Sequence, residues 1–398
     1  MSKPETKKAF TIGIVCIATY LINYYLRNML SVLSPQLYET DIFTVESVGL
    51  LSSVYMLFYA AGQLVNGFLG DLLSPKKLIT IGVALSGVAS ISFPFVHYRA
   101  LHLVCFAVLG FALSMFRGPL MKIISENTEP NHARTICVFF SFASCAGPLI
   151  ASTFAMLNNW MWSFVAAGSF ALLAAVAVFV VFTTMESKGN ITYNITKGQG
   201  IGAILSVFKI ERVVFFLTIT CVIEIVSTSV LFWVPTYLTS VLGFDNNTAN
   251  LIYSAMAVVR ALMPFLTLFI FRLANENDIP MLRVFFSISV IGFASMLLIN
   301  DKWMGVAVLL VALMAIACAS SLLWSIYIPG LGKTGRVSSI NGVLDCTGYI
   351  AASVSTVVFA AVMESVGWSL VYVLWAAVGA IGLVATFFKT KSKNKNLC

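Results

Sequence analysis

An arginine in the middle of an apolar run is the strongest chemical signal in this sequence. Arg27 lies well inside the apolar stretch 10–34. A guanidinium turned to lipid costs at least ~2.5–3.5 kcal/mol and cannot escape by deprotonating. It must face protein or water. Tyr20, Tyr24, Arg27, Ser31 and Ser34 recur at steps of four and three, which places them on one helical stripe. Tyr55, Tyr59, Gln63 and Asn66 make a second stripe; Thr220, Glu224, Ser227 and Thr228 a third; Asn341, Asp345 and Tyr349 a fourth. Arg117, Lys122 and Arg260 add cations inside other apolar runs. A guanidinium fork binds phosphate, phosphonate or carboxylate through paired charge-assisted hydrogen bonds, and tyrosine hydroxyls add neutral ones. Glu224 and Asp345 suit an ammonium or hydroxyl group, or a coupling proton. The chemistry expected is recognition of a small anionic or zwitterionic solute in a water-filled cavity lined by these stripes.

Each charge also has a structural reading. Arg27 can form an ion pair with Glu224 or Asp345. Arg117 can pair internally, Arg260 fits cavity or ion pair equally, and Lys122 is placed to snorkel toward an interface.

The elements that carry these residues must be membrane helices. The chain is 59% hydrophobic and only 10% charged, with a mean hydropathy of +0.94. Soluble domains carry about 25% charged residues. At ~20 residues per span, the pattern predicts twelve transmembrane helices in an all-α integral membrane protein. They are 10–34, 45–69, 77–97, 100–124, 135–157, 160–184, 213–240, 247–273, 279–299, 303–328, 336–362 and 367–388, with Pro235 breaking the seventh. The first is read as a retained helix, not a signal peptide. The polar stretch 186–212 divides the chain into an N-terminal six-helix bundle (1–185), a linker and a C-terminal six-helix bundle (213–398).

Lysines and arginines concentrate in alternate loops, among them Lys76, Lys77, Lys188, Lys197, Lys209, Arg212, Lys333 and Lys389 to Lys395. The opposite loops hold Arg99 and Lys302 beside Glu39, Asp41, Glu46, Asp245, Asp301 and Glu364. This positive-inside asymmetry places both termini in the cytoplasm of a multi-pass cell-membrane protein. The +8 net charge therefore reports topology and attraction to the bilayer, not nucleic acid. Seven cysteines lie in apolar stretches and Cys398 ends the chain, so they read as reduced packing residues. The sequons at Asn190 and Asn194 fall in a loop placed inside. No cofactor, metal or enzymatic activity is expected, since phosphate loops, dinucleotide fingerprints and metal-spaced clusters are missing from the sequence. A monomer is expected.

The halves repeat. "WSFV" at 162 returns as "WSLV" at 368, "CAGPLIAS" at 145 as "CTGYIAAS" at 346, and "SVLSP" at 31 as "SVLFWVP" at 229. The first two offsets are 206 and 201 residues, and the prolines of the third pair, Pro35 and Pro235, lie 200 apart, which argues for a parallel six-plus-six duplication. The loop "GFLGDLLSPKK", Gly67 to Lys77, resembles the signature loop of the major facilitator superfamily. There Gly67 allows close helix approach, and Asp71 caps a neighbouring helix or binds basic groups across a cytoplasmic gate. Its counterpart "FRLANENDIP" is degenerate.

Within that superfamily, "YYLRNMLSVLSP", "DLLSPKKLI", "WVPTYL" and "GYIAAS" resemble the organophosphate:phosphate antiporter family of glycerol-3-phosphate and hexose-phosphate transporters. The resemblance implies two pseudo-symmetric six-helix bundles working by alternating access. It puts Tyr20, Tyr24, Arg27, Tyr59 and Tyr349 on cavity positions, with Arg27 as the first of two arginines gripping a phosphoryl group. Ser227 stands where the second arginine is expected, Ala143 for a histidine and Gln63 for a lysine. Glu224 takes the place of an aromatic. Arg260 and Arg117 are the candidate replacement cations.

Two mechanisms follow: exchange of an organic anion against phosphate, or proton-coupled uptake of a carboxylate, sugar acid or zwitterion. Multidrug or lipid export would also fit the scaffold, as would a sensor that does not transport.

Overall fold

The computed structural model describes residues 3–40, 42–157, 159–195, 206–210 and 212–388. Asp41, Lys197, Lys389 to Lys395, Cys398 and the linker positions 196–205 and 211 lie outside the described residues. So do the side chains of Cys145 and Glu364. Among the described residues the chain is all-helical: α1 Lys3–Tyr38, α2 Val45–Leu72, α3 Pro75–Ser92, α4 Arg99–Leu113, α5 Arg117–Asn127, α6 Pro130–Leu157 and α7 Trp160–Ser187. After the linker come α8 Val213–Thr236, α9 Asn246–Leu273, α10 Asp278–Ser295, α11 Lys302–Ser321, α12 Val337–Ser365 and α13 Trp368–Ala385. Among the described residues, eleven helical segments are long and apolar enough to cross a membrane. Their outward faces carry large apolar side chains such as Leu57, Leu149, Leu173 and Leu251. An apolar exterior of this extent is stable only in lipid. This is a multi-pass membrane protein.

Acceptor side chains start the helices that follow short loops. Thr44 and Ser47 form a reciprocal capping box on α2, while Asn159, Asp245 and Asp301 accept from Trp162 N, Thr248 N and Met304 N at 2.8–3.0 Å. Such caps satisfy first-turn N–H groups that have no partner within the helix. Hydrogen bonds from the Thr248 hydroxyl and amide hold the Asp245 carboxyl below its ordinary range.

Two sequence expectations need correction. The fourth span runs as one segment, Arg99–Asn127, but its helix is interrupted: α4 stops at Leu113 and α5 begins at Arg117. Pro119 has no N–H to give Met115, and the chain instead closes a tight turn, Met115 N donating to Ala112 O at 3.1 Å. Pro235 does not break the seventh span either. The helix passes through it and widens into a π-turn over Tyr237–Val241, closed by Leu242 N to Tyr237 O at 3.1 Å. A second π-turn, Leu322–Tyr327, precedes Pro329. Membrane helices absorb proline by such local re-registration.

The chain divides into two compact units, Met1–Val207 with Ile328–Cys346, and Phe208–Tyr327 with Thr347–Cys398. In the first unit α1 packs on α6, α2 on α4, and α3 on α7. In the second, α9 packs on α11, and α10 on α11 and α13. Within the first unit, α2 meets the start of α12 through glycine. A Cβ on Gly67 would lie 2.8 Å from Gly342 Cα and 3.0 Å from Ser338 O, both backbone atoms. Gly67→Val should therefore force the two helices apart and cost about 1–3 kcal/mol, as over-packing does. A lowered melting temperature of the purified variant checks this, and an unchanged one would mean that the crossing is loose.

Candidate functional site

The α1 and α2 stripes converge on Arg27. Its guanidinium carbon lies 4.8 Å from the centroid of the Tyr59 ring and 5.8 Å from that of Tyr24. Tyr59 is 1% exposed and stacks on Tyr55 at 5.8 Å, while Arg27 and Tyr24 are half-buried. Tyr20 stacks on Phe140 at 4.0 Å and meets Tyr24 edge-on at 5.1 Å. A cation over a desolvated aromatic face gains up to ~2 kcal/mol. The Tyr59 and Tyr24 rings thus hold the guanidinium in place. Gln63, one turn from Tyr59, is buried, and its Nε2 has no hydrogen-bond partner among the described residues.

The interruption between α4 and α5 sets Arg117 at the first turn of α5. There its Nη1 donates to Asp345 Oδ1 at 2.8 Å, and Asn341 Nδ2 holds the other carboxylate oxygen at 2.8 Å. Asp345 is 3% exposed by side chain and Arg117 17%. Of the two readings open to Arg117, the structure shows the internal ion pair. Its charge is offset, so Arg117 and Asp345 together present a dipole.

In the second unit, Arg260 reaches from α9 so that Nη2 lies 3.4 Å from Ser227 Oγ on α8. Ser227 is the position that the resemblance assigns to a second arginine, and a guanidinium does arrive there from another helix. Arg260 is exposed. Glu224 packs against Gly348, where an added Cβ would stand 2.9 Å from Glu224 Cγ. Half-buried Tyr349 is the next residue.

Asp71 lies at the end of α2. Its Oδ2 accepts from Ser339 N at 2.8 Å and its Oδ1 from Ser338 N at 3.3 Å, the orphan donors at the start of α12. Oδ1 also accepts from Lys122 Nζ at 2.8 Å. Both options foreseen for this aspartate, helix cap and basic partner, are realised together. Ser338 fits among glycines: a Cβ on Gly118 would stand 2.6 Å from its Oγ.

Lys122 does not snorkel, contrary to the sequence expectation. Its side chain is 0% exposed, with Glu126 at 3.6 Å as a second carboxylate and the carbonyls of Asn194 and Gly335 at 2.8 and 3.2 Å. Four oxygens replace the water that an interface would have supplied. Sequence reasoning missed Glu126, Ser338, Ser339 and Asn194. The usable signal was "VSSINGV", a serine-rich start followed by Gly342 one turn later.

Several known proteins are similar to this chain. The phosphoglycerate transporter protein of Salmonella typhimurium is 23% identical over 201 residues, 49% of this chain. The alignment spans 42% of that protein's length. The probable sulfoacetate transporter SauU of Cupriavidus necator is 24% identical over 95% of this chain and 92% of its own. The structure of the proton:xylose symporter XylE bound to 6-bromo-6-deoxy-D-glucose superposes with a TM-score of 0.74 at 13% identity. It covers 96% of this chain and 95% of that one. The family model described as Major Facilitator Superfamily matches residues 16–353, and the chain belongs to that superfamily.

Proposed function

We propose that the protein is a secondary transporter that moves a small organic anion across the cell membrane by alternating access. Its twelve spans would form two six-helix bundles, 1–185 and 213–398, joined by the linker 186–212, with both termini cytoplasmic. The observation that carries the reading is Arg27, half-buried at mid-helix with its guanidinium held against the Tyr59 and Tyr24 rings. A cation oriented in this way is prepared for a planar or tetrahedral oxyanion. Arg260, beside Ser227, is the second cation assigned to the substrate. Tyr20, Tyr24, Tyr59, Gln63, Arg117 and Tyr349 are its other proposed contacts. Two relatives named for phosphoglycerate and sulfoacetate support the class, since each solute joins a carboxylate to a second acidic group. Gly67 and Asp71 act as the gate that holds one end closed.

Phosphate is the counter-solute in the exchange form of this mechanism. Proton-coupled symport is the second reading, favoured by the buried Arg117–Asp345 pair. Protonation of such a carboxylate would release its arginine. Glu224 is the other candidate for that proton.

The test is a melting-temperature series of the purified protein with 3-phosphoglycerate, sulfoacetate and xylose. A ligand at a hundred times its Kd adds about 2.7 kcal/mol, so the two anions should raise the melting temperature and xylose should not. In Arg260→Ala the anions should need roughly tenfold higher concentration, the loss of about one charged hydrogen bond. Stabilisation by xylose alone would overturn the anion assignment. In proteoliposomes, counterflow driven by phosphate marks exchange, whereas uptake abolished by a protonophore and by Asp345→Asn marks symport.

A further inference from the structure

Residues 191–195 of the linker are docked on the residues proposed as the gate. Residues 191–195 run without helix along the C-terminal half of α5. Ile191 is 1% exposed. Asn127 pairs with the backbone of Thr192 in both directions, Oδ1 accepting from Thr192 N at 2.7 Å and Nδ2 donating to Thr192 O at 3.0 Å. Two residues on, Glu126 Oε2 accepts from Asn194 N at 3.0 Å, and Lys122 Nζ donates to Asn194 O at 2.8 Å. Three side chains of α5 therefore grip the main chain at alternate residues, as a neighbouring strand would. Tyr193, between the two gripped residues, is half-buried, and burial pushes its phenol above the ordinary range.

Lys122 is the same ammonium that holds Asp71 on Ser338 and Ser339. It also bonds Gly335 O, and Asn194 Cβ lies 3.7 Å from where a Cβ on Gly335 would be. The segment thus lies over the only lysine that fastens Asp71 among the described residues. Lys122 Nζ therefore bonds the Asp71 carboxylate and the segment's Asn194 O at the same time.

We infer that residues 191–195 form a strap over the Lys122–Asp71 pair, so that undocking of the strap and opening of the α2–α12 contact are one coupled step. The inference rests on the proposed gating role of Asp71. Because α5 grips main chain, the strap tolerates side-chain change at 192 and 194 but not loss of an amide N–H.

Hydrogen–deuterium exchange of the full-length protein in lipid nanodiscs tests this, comparing peptides across 190–195 and 337–340. In the parent chain the amides of Thr192 and Asn194 should be protected. Asn127→Ala should speed their exchange about tenfold, the equivalent of one hydrogen bond, and should speed Ser338 and Ser339 as well. Thr192→Pro, which leaves α5 intact, should do the same and covers the case in which Asn127→Ala fails to fold. Loop-rate exchange at 192 and 194 in the parent overturns the strap. So does freeing these amides while Ser338 and Ser339 stay protected. Asp71→Ala, which removes the acceptors of both Ser338 N and Ser339 N, separates the two ideas. If Ser338 and Ser339 remain protected in that variant, the gating role of Asp71 fails, whatever the strap does.

Discussion

Arg27→Lys should weaken anion binding by roughly two orders of magnitude while leaving the protein folded. A guanidinium makes two parallel hydrogen bonds to one oxyanion, each worth about 1.5–3 kcal/mol when charged. Lysine keeps the charge but offers a point donor, so at least one of the pair is lost. The guanidinium contact with the Tyr59 ring, at 4.8 Å, is weakened with it, since an ammonium does not stack. Together these losses come to about 3 kcal/mol, or ~100-fold in Kd. Arg27→Ala should abolish the ligand-dependent rise in melting temperature altogether. The measurement is the concentration of 3-phosphoglycerate or sulfoacetate needed for half-maximal stabilisation. If Arg27→Lys leaves that midpoint where it was and lowers only the melting temperature of the ligand-free protein, the arginine is a packing element and the substrate is held elsewhere. Arg117→Lys provides the contrast. Its partner Asp345 already accepts the charge, so a smaller effect on affinity is expected there.

Much of this was legible in the sequence because membrane solvation leaves few ways to place a charge. A mid-span arginine at helical spacing from tyrosines had to meet them, and Arg27 does lie on Tyr24 and Tyr59. Asp71, four residues after Gly67, had to find donors, and the nearest unsatisfied donors in any helical protein are the first amides of a neighbouring helix. What one sequence cannot encode is which helix those amides belong to. Ser338 and Ser339 lie 267 and 268 residues from Asp71, and no local period links them. Lys122 was misread for a related reason. Proximity to a span end suggested an interface, but the four oxygens that bury it come from α2, α5, the linker and the turn before α12. The proline effects were misplaced in both directions. Pro119 interrupts a helix that read as continuous, while Pro235 is absorbed by a π-turn with Thr239 and Ser240 hydroxyls on the carbonyls of Pro235 and Thr236. A proline's missing bond is visible in sequence; whether the helix stops or widens beside it is not. Ser227 shows the same limit: nothing local in the sequence indicates that the Arg260 guanidinium lies 3.4 Å from its hydroxyl.

Lys122→Met should be the most destabilising single change in the first unit. It leaves the Asp71 and Glu126 carboxylates, 3% and 2% exposed, with no cation among the contacts described for them. Removing one partner of a buried pair typically costs 3–5 kcal/mol, because the remaining charge is stranded rather than because the pair was strongly favourable. At ~2–4 °C per kcal/mol for a unit of this size, the melting temperature should fall by roughly 10 °C. The stranding account makes a sharper claim than the loss itself. The triple variant Lys122→Met, Asp71→Asn, Glu126→Gln, which removes the charges together, should recover most of the stability. Asp71→Asn keeps an acceptor for Ser339 N, and Glu126→Gln keeps one for Asn194 N, so neutral versions of both hydrogen bonds survive. A triple variant as unstable as the single one would show that Lys122 contributes through its bonds to Asn194 O and Gly335 O, not through charge. That outcome would move the weight of the contact from the Asp71 pair to the strap. Lys122→Arg discriminates further, because a planar fork cannot reach four oxygens arranged around a compact ammonium. It should restore charge without restoring the melting temperature, since the site is built around the geometry of one nitrogen.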